Sequence, residues 1–169
     1  FLLDWHHVGL PLISVRSEKD DIAIFKNWLS SIVILSPSPR HFYELSKTES
    51  RILNRDAGNV LEWIRWLLAS NPSLYATMYE FLKFRMSDLV VFKSTSGEER
   101  KHLFVFKEDG SIELDFKQLS DGEKIFFLAA SIIAAQKNNP SMLCLWDEPD
   151  NFIGLTELNH FITDHRRAF

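Results

Sequence analysis

The sequence predicts an α/β fold, and three observations carry that expectation. Segments with helical apolar spacing alternate with short runs of strand character along the chain. An apolar helix over residues 120–137 leads through Asn138, Asn139 and Pro140 into the apolar run "SMLCLW". Hydrophobic residues make up 46% of 169 positions, enough for one domain with a packed core and too many for a disordered chain.

The elements follow in order. Residues 1–16 read as strand and turn, because Pro11 breaks any helix there. Residues 19–30 place Ile22, Phe25, Trp28 and Leu29 at helical spacing. "SIVILS" is a short strand, "PSPR" a rigid loop, and residues 40–56 carry no clear period. From Ala57 to Ala69 apolar residues recur at 60, 61, 64, 67 and 68, one face of a helix. Asn71 and Pro72 are a cap and first-turn pair for another helix ending near Lys83. "SDLVVFKS" is a strand, and "KHLFVFKEDGSIELDF" a hairpin turning at Asp109 and Gly110. "SMLCLW" reads as a strand buried on both faces. Leu158, Phe161, Ile162 and His165 mark a final amphipathic helix.

Bulk composition excludes several classes. A net charge of −4 argues against nucleic-acid binding by overall charge. The single cysteine, Cys144, allows no internal disulfide and points to a reducing, cytoplasmic setting. No apolar run reaches the roughly 18 residues of a membrane span, so no membrane partner is expected. The chain opens at Phe1 on an extended-looking run and stops at Phe169 in a helical pattern, so it reads as an excerpt of a longer protein.

The chemistry concentrates at two places. Asp147 and Glu148 stand at the C-terminal end of the apolar strand, where open α/β sheets place their ligands. Adjacent carboxylates repel, and both ionise comfortably only beside water or a cation. The first can hold Mg²⁺ through a water, and the second can take a proton from an attacking water. The alternative is a solvated loop. The other place is "LSDGEK". Ser120 and Glu123 form a capping-box pattern, and Gly122 admits close approach of a ligand. Free amides at a helix start favour an anion, so this turn is either a plain cap or a phosphate-recognition tip.

Together, "LSDGEK", a buried helix, and "LCLWDEP" continuing as "DEPDNFIG" resemble the signature motif and Walker B strand of ABC-type ATPases. The resemblance is to the RecF/SMC-like branch that includes overcoming-lysogenisation-defect-like and PtuA-like proteins. It is specific over residues 116–155 and only compatible in element order before that. It implies a P-loop NTPase fold. Residues 1–116 would be the strand, helical and hairpin part of an ATPase head; residues 117–169 would be the signature helix, Walker B strand and following helix, in one domain truncated at both ends. Asp147 would support Mg²⁺ and Glu148 would polarise the hydrolytic water. Ser120, Asp121, Gly122 and Glu123 would cap the γ-phosphate of an ATP held mainly by a second subunit. Asn151 and Gly154 fall in the segment matching the D-loop. The implied unit is a homodimer around two ATPs, its output the control of DNA or of a nuclease partner, as in DNA repair or anti-phage defence.

Three departures stand against the family pattern. Asp121 occupies a position where many members have glycine. Gly154 stands where Asp or His is common. No glycine (9, 58, 97, 110, 122, 154) is followed by lysine, so the phosphate-binding loop is absent from the chain, and the switch histidine is expected beyond its end. Asp121 and Gly154 suit one rival, a nucleotide-sensing scaffold without turnover, against which the intact Glu148 stands; a second rival is a transporter ATPase subunit, whose signature would more often read LSGGQ. Arg40, Lys47, Arg51 and Arg55 form a further basic stretch that suits either a nucleic-acid backbone or a solvated surface. Cys144 reads as a small core residue, Trp63 and Trp66 as core or interface. His160 and His165 are too poorly aligned on a helix for a metal pair, and His6 and His7 alternate along a strand.

Overall fold

The computed structural model describes residue 10, residues 13–108 and residues 110–168. Mixed α/β structure is present as expected, in two small sheets. The strand expected near the N-terminus, with His6 and His7, and the hairpin tip at Asp109 lie outside the described residues.

Helix α1 (Asp21–Ser30) starts where Asp20 accepts a hydrogen bond from the Ile22 amide. Strand β1 (Ile32–Leu35) follows directly. The Pro-rich loop holds one 3₁₀ turn, Pro39–His41, and the aperiodic stretch contributes only β2 (Leu45–Ser46). Helix α2 (Val60–Ser70) begins three residues later than its apolar period suggests. Ala57 sits at φ 57°, left-handed, and cannot join a right-handed helix. The Asn59 side chain turns back instead. Its Oδ1 accepts from the Asn54 amide, and its Nδ2 donates to Ser50 Oγ and to the Ile52 carbonyl, which holds the 50–58 loop rigid.

The expected Asn71–Pro72 helix start is corrected. Asn71 closes α2, and its Oδ1 accepts from Ser73 Oγ at 2.6 Å, a turn that delays α3 to Leu74–Arg85. Strands β3 (Leu89–Ser94), β4 (Arg100–Glu108) and β5 (Gly110–Asp115) form an antiparallel sheet with β4 at its centre, and β2 pairs the start of β4. Helix α4 (Asp121–Asn138) packs on this sheet. Phe127 meets Phe104 edge-on at 5.2 Å and Phe92 at 5.7 Å, and Phe116 closes the cluster. The helix is buried from Phe127 to Gln136 without a break. One core cluster runs from Leu35 to Met142, across the 116/117 division.

Strand β6 (Leu143–Trp146) pairs with β1 in parallel, Ile32 with Leu143 and Ile34 with Leu145. Here the sequence expectation fails on one face. Val33, Leu35, Cys144 and Trp146 turn to the core, but Ile34, Leu143 and Leu145 are 53%, 41% and 49% exposed. The pair has no third strand among the described residues. Cys144 behaves as the small core residue expected, and burial pushes its thiol up to about 11. Trp63 is buried and Trp66 packs against the core. Helix α5 (Leu155–Ala168) ends the chain. On its expected apolar face Leu158 is half-buried and Ile162 exposed, while the side chains of Phe161 and His165 lie outside the described residues.

His102, on β4, is a buried polar residue that periodicity did not flag. Burial, with Arg100 and Arg65 nearby, lowers its pKa from 6.5 to about 4. The unfolded chain therefore takes up a proton below pH 6.5 that the folded chain refuses until about pH 4. Stability from this group is complete above pH 6.5 and falls by about 3 kcal/mol as pH drops through that window. Urea unfolding at pH 7 and pH 4.5 is expected to show the loss, and His102→Phe to flatten it. An unchanged slope in His102→Phe would assign the acid sensitivity elsewhere.

Candidate functional site

The site grows from the way α4 and β6 are joined. Asn139 ends the helix, and a tight turn (Met142 amide to Asn139 carbonyl, 2.9 Å) sends the chain back along it. Helix start and strand end therefore lie on the same side of the molecule. At the helix start the capping box is complete. The Ser120 amide and hydroxyl each donate to Glu123 Oε2 at 2.7 Å, and the Glu123 amide donates to Ser120 Oγ at 3.3 Å. Asp121 Oδ1 lies 4.0 Å from Lys124 Nζ, so its carboxylate has a cation on its own helix turn. That contact supplies a local partner for the charge that looked out of place beside a phosphate.

At the strand end the Asp147 amide donates to the Leu35 carbonyl at 2.7 Å, the last rung between β6 and β1. The chain then turns sharply. Glu148 sits at φ 51° and Phe152 at φ 71°, two left-handed residues without the freedom of glycine, costing roughly 1–2 kcal/mol each. Asn151 closes the turn twice. Its amide N–H donates to the Glu148 carbonyl at 3.1 Å, and its Nδ2 donates to Glu148 Oε2 at 2.7 Å. The carboxyl-bearing residues Asp147 and Glu148 are exposed and make no ion pair among the described residues.

The two parts touch. A Cβ on Gly122 would stand 3.0 Å from the Phe152 carbonyl oxygen, so the acidic turn's backbone lies directly on the helix start. Gly122 thus has a reason within its own chain, close approach of the 148–152 turn. Gly122→Ala is expected to cost about 1 kcal/mol, because a displaced backbone outweighs the helix-propensity gain. Thermal melting measures it, and an equal or raised midpoint would show that the turn yields freely. Gly154 also has a local role. Its carbonyl accepts from the Leu158 amide and opens α5, and a Cβ there would meet the movable end of Glu157.

All six predicted positions from Ser120 to Glu123 and Asp147 to Glu148 gather at this end, with Asn151 and Gly154 in the connecting turn. The basic loop joins them in part. The Ser36 and Ser38 amides donate to the Arg55 and Asp56 carbonyls, stitching the loop to the same end of β1. Arg40 and Arg55 are exposed without an ion pair among the described residues, whereas Lys47 meets Glu99 at 3.4 Å and Arg51 lies away from this end, lining a cleft with Trp63 and Trp66. Missed by sequence reasoning were the Asn151–Glu148 bond and the Phe152 approach. An Asn three residues after an acid and two after proline was their available signal.

The donor chemistry suits a hard cation in part. Asp147 offers exposed carboxylate oxygens, and Mg²⁺ is usually held by one or two carboxylates with waters and substrate phosphates. Among the described residues no group of three or more His, Cys, Asp or Glu gathers into a protein-only metal cage. A cleft of about 240 Å³, lined by Ser31, Trp63, Trp66 and Asn139, lies at the opposite end of the strands. Among the described residues no helix is long and apolar enough to cross a membrane. No family model, curated protein or solved structure matches the chain.

Proposed function

We propose that the chain is part of an ABC-type ATPase in which ATP closes a head-to-tail homodimer and hydrolysis reopens it. One observation carries this reading: the polar helix start at Gly122 lies against the turn that bears Glu148. Two half-sites of complementary chemistry, one favouring anions and one supplying a base, share an exposed surface. Such a surface is suited to completion by a second molecule. In this reading Ser120 through Glu123 face the γ-phosphate of a nucleotide held mainly by the opposing protomer. Glu148 accepts a proton from water as its oxygen attacks the γ-phosphorus. The bond from phosphorus to the bridging oxygen breaks, and ADP and phosphate leave. Mg²⁺, when bound, offsets charge on the phosphates, and Asp147 is the residue to hold it through a water. Control of DNA or of a nuclease partner follows from the resemblance.

One rival is a nucleotide-sensing scaffold without turnover, which the departures at Asp121 and Gly154 favour. Sedimentation of the protein carrying this chain, with ATP and Mg²⁺, decides alongside phosphate release. ATP-dependent doubling of mass with release supports the ATPase. Doubling without release supports the scaffold, and no doubling overturns both.

A further inference from the structure

We infer that Asn151 is a positioning residue for Glu148, an inference that rests on the ATPase reading above. Glu148 is exposed, and a free glutamate on a surface samples many rotamers. Here one of its oxygens is held. Asn151 Nδ2, the one side-chain atom of Asn151 that can donate, stands 2.7 Å from the accepting Oε2. The turn does not need this bond for closure, because the Asn151 amide N–H already reaches the Glu148 carbonyl. Nor does the Asn151 side chain make another hydrogen bond among the described residues. Its amide is exposed and free to face water, yet it faces the carboxylate. The bond takes Oε2 and leaves Oε1 to receive a proton from water. The rest of the turn fixes the base from below. Glu148 is left-handed, Pro149 has its own φ locked by its ring, and the Phe152 carbonyl rests on Gly122. A base aimed by its own turn is ready before a second protomer arrives, so closure need only bring the opposing helix start to the γ-phosphate.

Asn151→Ala leaves the turn's backbone bond in place. It is expected to lower kcat roughly 10- to 100-fold, with KM for ATP and the melting temperature unchanged. Asn151→Asp keeps the shape but replaces the donor by a carboxylate facing Glu148, and is expected to lose at least as much. In a Glu148→Gln background Asn151→Ala should cause no further loss. Wild-type kcat in both Asn151 variants would overturn the inference, as would a parallel loss of kcat, KM and stability. An additive loss in the double variant would also overturn it. If Glu148→Gln retains turnover, Glu148 is not the base and the inference falls with it; if the wild-type protein releases no phosphate from ATP, the ATPase reading fails instead, and the two failures are told apart.

Discussion

Glu148→Gln is expected to abolish nearly all ATP turnover while leaving nucleotide binding intact. The amide keeps the length and shape of the side chain and loses the proton acceptor. General-base removal costs about 10²–10⁴-fold in rate. Glu148 stands exposed at the end of β6 with one oxygen free of protein partners, the posture of a group that works on water. Because hydrolysis is what reopens the proposed dimer, the variant should also accumulate closed dimers when ATP is added. Phosphate release and sedimentation on the same sample test both halves. Near-normal hydrolysis would hand the role of base to another group and remove the reason for placing this turn in the site.

The second large effect is expected from Ser120→Arg. Loss of the cap alone costs about 0.5–2 kcal/mol and little else. Ser120→Ala isolates that cost, since it removes the hydroxyl that bonds Glu123 and adds no bulk. Ser120→Arg also fills the space before the helix start. With Glu148→Gln in the background to hold dimers closed, Ser120→Arg should lose ATP-dependent association while each protomer still binds nucleotide. Ser120→Ala should keep it. Light scattering with and without ATP separates them. If Ser120→Arg associates with unchanged affinity, "LSDGEK" is a capping box and nothing more.

The sequence made the local chemistry of this site legible more fully than its setting. Ser120 and Glu123 are three residues apart before an apolar run, and short-range geometry then leaves little choice. The hairpin and α4 were legible for the same reason, strong periods bounded by clear stops. Helix starts after Ala57 and Asn71 were misplaced, because apolar spacing marks a face and not the backbone angle that begins it. The reason for Gly122 was hidden: its neighbour, the Phe152 carbonyl, is 30 positions on by residue number and is a backbone atom that side-chain patterns never report. The unburied face of β6 was hidden too. Apolar content at every position reads as two-sided burial, and only packing says whether the second side is covered.

That second side has a bearing on how the protein behaves in a tube. Ile34, Leu143 and Leu145 form a half-exposed aliphatic plate on a two-stranded sheet. Such a plate drives colloidal attraction between copies with no regard for nucleotide. Excluded salts such as sulfate strengthen that attraction, and they screen any charge steering in the proposed dimer. Ionic strength therefore separates two kinds of contact. Mass that grows with sulfate is expected from the plate, and mass that grows with ATP at modest salt is expected from the proposed dimer at the acidic end of the same two strands.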